Sequence, residues 1–506
     1  MKHLIIGAGP AGLQMASFLE DHIILEKGPS VCTFFRKYPR QRRFISINKG
    51  RNLRFDWNSF LDDEKSFRDY SEELYPSADD YLNYVEDFVE RKKLNIKFNY
   101  EVKSIDKKDG LFIINGGEYT AEKVFFGIGL VPRDPGIRVH PSITAFTYAN
   151  MPLDKEVYRD KTVIIMGSGN AALETADFIA PMTKFTFITG RNVNAWETHY
   201  PGHARSKNFT SIDSFFLKAG GFTSFATDRV ERYTDSIDYK VTRELIETMK
   251  SDAIYQIDIV IFCVGFTFCS ALVDGLVDLC PKSRFPILTE NFESPKTPGL
   301  FFIGSNSQAK DYKKGTSAFI HGFRYNCQYI SRYIKGVESV ILNRDDMVKM
   351  VLQQVNESSC LLHRFDYFCD VVELLDDGNW KYTKEVPYPR VAPEKGFTVR
   401  LGYTNPFPTR SFDQGVSYIY PRDAHLSVYI HPIFNTVRQQ FELPEDIYNE
   451  YTDRNWHIQP LLLFIDYIEG KITPNQLMVA VCSIPDKRGG REKIWINSSE
   501  SLEEHQ

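Results

Sequence analysis

His3-Leu4-Ile5-Ile6-Gly7-Ala8-Gly9-Pro10-Ala11-Gly12-Leu13 opens with an apolar run that stops at three glycines in a G-x-G-x-x-G spacing. Beyond them Leu13, Ala16, Phe18 and Leu19 recur at helical intervals. The stretch predicts a strand, a tight turn and a helix. A second apolar run, Ile23-Ile24-Leu25, ends in Glu26, 19 residues after Gly7, and completes a βαβ unit of the dinucleotide-binding type. Gly7 permits the turn, Gly9 lets backbone amides approach a pyrophosphate, and Gly12 lets the helix pack on the strand. The phosphates would sit at the positive end of the helix dipole. Glu26 would accept ribose hydroxyls and would repel a 2′-phosphate.

The same grammar returns at Thr162-Val163-Ile164-Ile165-Met166, followed by Gly167-Ser168-Gly169-Asn170-Ala171-Ala172, a helix through Leu173, Ala176 and Ile179, and the run Phe185 to Ile188. Here the second strand ends in Thr189-Gly190-Arg191, and an arginine in place of glutamate can pair with a 2′-phosphate. FAD is therefore assigned to the first cradle and NADPH to the second. The complete expected cofactor set is Gly7, Gly9, Pro10, Ala11, Gly12, Glu26, Lys27, Arg36, Arg43, Val102, Gly129, Gly167, Ser168, Gly169, Asn170, Ala171, Arg191, Gly265, Gly304 and Asn306. Arg36 and Arg43 belong to a run of cations reaching Arg54 without an intervening acid. Its apolar interruptions make it a poor nucleic-acid patch and a better wall beside cofactor phosphates.

The remaining pattern gives a coarse plan for 506 residues. Tyr81 to Glu90 reads as helix, and Ile96 to Phe98 and Leu111 to Ile114 as strands. Ile257 to Phe266 and Gly299 to Gly304 read as buried strands ending in glycine, with a helix over Thr316 to Tyr329. Prolines at 387, 389, 393, 406, 408 and 421 punctuate aromatic segments, so residues 345 to 440 read as β-rich. The run Leu461 to Ile465 reads as helical, and a polar tail follows from Ser498. The expected class is α/β: two Rossmann-like domains, for FAD (1–150 and 290–340) and NADPH (151–289), plus a β-rich C-terminal appendage (341–506).

Composition excludes other classes. Charged residues are 25% and the net charge is −5, so no bulk field draws the chain to nucleic acid or anionic lipid. The eight cysteines contain no C-x-x-C pair, which gives a redox dithiol or zinc knuckle no support. No membrane-spanning run and no leader pattern are seen, so a cytoplasmic location is expected. His425 and His431, on an expected strand from Ala424 to Ile430, would share a face, but without a third ligand no metal is assigned.

The two cradles, the glutamate-ended first unit, Val124 to Gly129 before Pro132, and Asp258 to Phe266 together resemble the flavin-containing monooxygenase superfamily. A nearer likeness is to the FAD-dependent oxidoreductase domain-containing flavoproteins, whose animal members work in endoplasmic-reticulum degradation. It is carried by Phe44 to Lys49, Asp56-Trp57-Asn58-Ser59, Thr198-His199-Tyr200 and Phe319 to Tyr325. The resemblance implies an enzyme in which NADPH reduces FAD and a C4a-hydroperoxyflavin oxygenates a small nucleophilic substrate, with O₂ as co-substrate. Asn58, Trp57 and His199 are the expected catalytic residues: an amide beside the flavin peroxide, an indole shielding a ring face, and a loop histidine near nicotinamide or substrate.

Two departures bear on this. The superfamily fingerprint F-x-G-x-x-x-H is absent from Ala145 to Met151, and an amide, Asn306, stands where many such enzymes place an aspartate. An NADPH oxidase or reductase without oxygen insertion is the alternative, and a flavin-binding scaffold that recruits a protein partner is the other. A homodimer is left open.

Overall fold

Leu4, Ile5 and Ile6 are buried to within 3% of completely, as a strand covered on both faces requires. The computed structural model describes residues 1–44, 56–136, 139, 141, 143–167, 169–190, 222–226, 257–312, 315–388, 391–404, 421–427, 429–446 and 450–484. These divide into two compact units: Met1–Glu338 with Leu362–Tyr367, and Ser339–Leu361 with the residues from Phe368 onward.

In the first unit, β1 (His3–Ile6) leads into α1 (Pro10–Ser17) and β2 (His22–Leu25), as the glycine spacing predicts. A short helix, α2 (Thr33–Lys37), follows. Helix α3 (Ala78–Arg91) is capped by Ser77 Oγ, which accepts from the Asp80 amide at 2.9 Å, and buries Tyr81, Tyr84, Val85 and Phe88 at helical spacing. Strands β3 (Ile96–Lys97), β7 (Lys123–Phe126) and β15 (Leu300–Phe302) join β1 and β2 in a five-stranded parallel sheet of order β15-β7-β1-β2-β3. Between β3 and β7, strands β4 (Ile105–Lys108), β5 (Leu111–Ile114) and β6 (Tyr119–Ala121) form an antiparallel sheet.

A second parallel sheet, order β12-β11-β10-β13-β9, contains β9 (Thr144–Thr147), β10 (Thr162–Met166), β11 (Phe185–Gly190), β12 (Phe222–Ala226) and β13 (Ile259–Phe262). Helix α4 (Asn170–Ile179) follows β10 and buries Ala172, Leu173, Ala176 and Ile179. Thr144–Thr147 pairs in register with Ile259–Phe262, so the second Rossmann sheet draws on chain before residue 151. The two chain crossings between the sheets, β8 (Val131–Pro132) and β14 (Phe266–Thr267), pair antiparallel.

Helix α5 (Ile320–Lys335) lies along α1, with Cys327 Sγ donating to Ala11 O at 3.6 Å and Ser331 Oγ to Phe18 O at 3.3 Å. It starts four residues later than its apolar pattern implies. Asp311 takes the Ser317 amide, and Thr316 Oγ1 donates to His363 O, which holds this approach as loop. No helix among the described residues is long and apolar enough to cross a membrane.

The second unit is built on a six-stranded antiparallel sheet of order β16-β18-β17-β19-β20-β21. Its strands are β16 (Val340–Leu342), β17 (Phe368–Leu374), β18 (Trp380–Pro387), β19 (Gly396–Gly402), β20 (His431–Asn435) and β21 (Gln440–Glu442). The expected β-rich texture holds from Phe368, but the region opens with helix α6 (Arg344–Glu357). Asn343 caps it, and Met347, Val348, Val351 and Val355 form its buried stripe. A one-turn helix α7 (Ser359–His363) follows, and α8 (Gln459–Ile468) and α9 (Pro474–Cys482) come near the end.

The expected strand Ala424 to Ile430 is not formed. Pro421–Leu426 is a 3₁₀ turn, and Ser427 Oγ accepts from the Tyr429 amide at 3.2 Å, which bends the chain before β20. His425 and His431 therefore share no strand face. His431 Nε2 instead meets Glu442 Oε2 at 2.8 Å. The tail from Ser498 lies outside the described residues.

Candidate active site

The first glycine turn has the geometry its sequence implies. Gly7 has φ +100°, and a Cβ on Gly12 would lie 2.0 Å from Gly7 O, so only glycine allows this helix-to-strand approach. A Cβ on Gly9 would meet nothing within 4 Å, leaving open space before the N-terminus of α1. Among the described residues the amides of Ala11 and Gly12 have no hydrogen-bond partner, and no side chain caps the helix. A cradle with open space and free amides at a helix N-terminus suits a pyrophosphate. Glu26 closes the loop from the far side: Oε2 accepts from the Ala8 amide and Oε1 from the Gly28 amide, both at 2.7 Å. Two carboxylate oxygens retain lone pairs for ribose hydroxyls.

Gly129, Gly304 and Asn306 meet at the ends of β7 and β15. Asn306 is fully buried; its Nδ2 donates to Gly129 O at 2.7 Å and its Oδ1 accepts from Gly129 N at 3.1 Å. An aspartate could serve only the second of these, so the amide at this position follows from Gly129 presenting both a donor and an acceptor. Gly129 and Gly265 have φ of +75° and +85° at the two crossings. Val102 is buried just before β4.

At the second cradle Gly167 has φ +131° and Gly169 caps α4 with open space in its Cβ direction, repeating the first turn. Asn170 and Ala171 begin the helix. Ser168, Arg191 and His199 lie outside the described residues. A small cleft lined by Pro132, Arg133, Tyr148, Ala171, Gly265 and Phe266 separates this helix from the crossings.

Trp57 and Asn58 sit on a turn made by Asp56. Its Oδ1 accepts from the amides of Asn58 and Ser59 at 2.9 and 2.7 Å, and its Oδ2 accepts from Ser59 Oγ. Tyr84 OH, from α3, receives the Phe60 amide at 2.8 Å, and Arg324 Nη1, from α5, donates to Ser59 O at 2.6 Å. The indole of Trp57 packs on His321 with ring centroids 4.3 Å apart, and His321 stacks on Phe319 at 5.5 Å. The sequence reading gave roles to Trp57 and Asn58 but none to Asp56, His321 and Arg324, which it quoted only within family-like stretches. The Asx turn of Asp-x-Asn-Ser was a local signal for the first; the other two depend on contacts across the chain.

The first members of the basic run have partners within the first unit. Arg36 pairs with Glu86, Arg42 with Asp79 at 2.6 Å, Arg43 with Glu73 at 3.1 Å, and Arg40 donates to Met151 O at 2.6 Å. Lys27 pairs with Glu101 at 2.5 Å on the surface. Acids supplied by α3 and its approach, distant in sequence, pair with Arg36, Arg42 and Arg43. Residues 45–55 lie outside the described set.

Residues 4–304 match the model of the pyridine nucleotide-disulphide oxidoreductases. The chain belongs to this family. It is a flavoprotein oxidoreductase that takes FAD and a pyridine nucleotide. The FAD-dependent oxidoreductase domain-containing protein 2 of Mus musculus is 29% identical over 560 aligned positions, covering 92% of this chain and 83% of the mouse protein. Two solved structures share the fold at a TM-score of 0.50, each covering 66% of this chain and 98% of its own: the bacillithiol disulfide reductase of Staphylococcus aureus (16% identical) and a flavin-containing monooxygenase of Stenotrophomonas maltophilia (15%). The family-type pair of cradles thus fits the glycine geometry described above.

Proposed function

We propose that this family member oxidises NADPH and uses the electrons to oxygenate a small nucleophilic substrate with O₂. Bound FAD would supply reversible two-electron chemistry. Gly7, Gly9 to Gly12 and Glu26 would hold it, with Gly129, Gly304 and Asn306 shaping the end of its bed. Gly167 to Ala171 would hold NADPH, with Arg191 on the 2′-phosphate. Trp57 and Asn58 would face the flavin, the indole excluding water and the amide donating a hydrogen bond.

One observation carries the choice of a direct outlet over a disulfide outlet. Cys32, beside the first cradle, is a buried cysteine that forms no disulfide. Burial, reinforced by the nearby Glu26 charge, pushes that thiol far above its usual range, so it is not a nucleophile. A buried, protonated thiol at that place supports an outlet to a small molecule rather than to a disulfide.

The missing fingerprint favours a second reading, an NADPH oxidase or reductase without oxygen insertion. Asn150 Oδ1 accepts from Thr147 N at 2.7 Å in that segment, an internal use of its polar group. Stoichiometry separates the two. Oxygenation requires product equal to NADPH consumed, whereas hydrogen peroxide equal to NADPH with every nucleophile tried overturns it. NADH outcompeting NADPH would overturn the role of Arg191.

A further inference from the structure

The chain leaves the first unit at Glu338 and re-enters it only for Leu362–Tyr367 among the described residues. This segment carries two nearly fully buried polar side chains, of which His363 reaches the turn that carries Trp57 and Asn58. His363 Nδ1 lies 3.0 Å from Arg324 Nη2. A guanidinium is always a donor, so Nδ1 is the acceptor and the imidazole proton resides on Nε2. The other arm of the same guanidinium holds Ser59 O at 2.6 Å. The His363 ring stands edge-on to Trp57 at 6.0 Å and to His321 at 5.7 Å. Arg364 anchors the segment: Nη1 donates to Asp311 Oδ2 at 2.7 Å and to Thr316 Oγ1 at 3.1 Å, and both side chains of the ion pair are 1% exposed.

We infer that His363 is a positioning residue for the oxidoreductase reaction: by accepting from Arg324, whose other arm holds Ser59 O, it sets the orientation of the turn holding Trp57 and Asn58. The inference rests on the proposal that these two residues face the flavin. The effect of His363 is on turnover and not on coenzyme binding, because a misplaced reacting environment lowers kcat.

The test uses the full chain loaded with FAD and turned over with NADPH in air. His363→Asn puts an amide oxygen where Nδ1 now accepts, and His363→Gln puts it one bond further out. His363→Asn is expected to keep the parent kcat, while His363→Gln lowers kcat about 10- to 100-fold at unchanged KM for NADPH. Equal kcat in the two variants, or a change confined to KM, overturns the inference. If His363→Gln does not retain FAD, His363→Asn decides: parent kcat supports the role, and about a tenfold loss with FAD still bound overturns it. Trp57→Leu, measured alongside, separates the two levels. Loss of kcat in Trp57→Leu with none in His363→Gln removes only the role of His363, whereas unchanged kcat in Trp57→Leu removes the flavin-facing assignment and this inference together.

Discussion

Glycines 9 and 12 differ in what surrounds them, although a motif treats them alike. A methyl at Gly12 collides with Gly7 O, whereas a methyl at Gly9 points into open space. Gly12→Ala is expected to lower stability by about 1–3 kcal/mol, read as a drop in thermal midpoint of the FAD-free protein. Gly9→Ala should leave that midpoint unchanged and reduce bound FAD, measured by the visible absorbance retained after gel filtration. Asn306 gives a second residue-scale expectation. Asn306→Asp removes the donor to Gly129 O and sets a carboxylate against it, so the variant should unfold more readily by about 1–3 kcal/mol in a urea titration. Its departure from the superfamily pattern was readable in the sequence; its reason was not, since the partner lies 177 positions away.

At the level of elements, the parts readable from sequence were those whose signal is local. Buried parallel strands such as β1, β10 and β13 are continuous apolar runs beside glycine, and α3 carries its own cap and stripe. Helix α6 was hidden because the proline-rich texture downstream coloured the whole region. The buried members of the site, Arg324, His363 and Arg364, were illegible because a charged or polar side chain is buried only by partners distant in sequence, here Ser59, Arg324 and Asp311. The β17–β18 pair has a similar hidden feature. Asp370, fully buried beside a register shift, accepts from Tyr382 OH and the Glu385 amide, both at 2.7 Å. Burial, with the Glu385 charge, pushes its carboxyl up to about 7 from 3.8. The folded protein therefore holds this proton more tightly than the unfolded chain, and the stability it contributes is complete below about pH 4 and lost as pH rises through 7. The loss is roughly 4 kcal/mol at most. Asp370→Asn should narrow the gap in urea midpoint between pH 5 and pH 8; an unchanged gap would show that Asp370 does not titrate there.

For the whole molecule, the division into two units does not follow a single cut in the chain. A protein ending at Glu338 would keep both cradles but lack His363 and Arg364, leaving Asp311 buried without its cation. Breaking such a pair costs about 3–5 kcal/mol, so this truncated form is expected to yield no FAD-loaded protein, judged by flavin-to-protein ratio after expression. A truncated form that purifies yellow would refute the expectation. The same interleaving has a consequence for biosynthesis. Elongation at about 5–20 residues per second keeps residues 1–338 waiting on the ribosome until Tyr367 has emerged, so a stall between the two visits would hold a nascent chain whose first unit is incomplete and still open to chaperones.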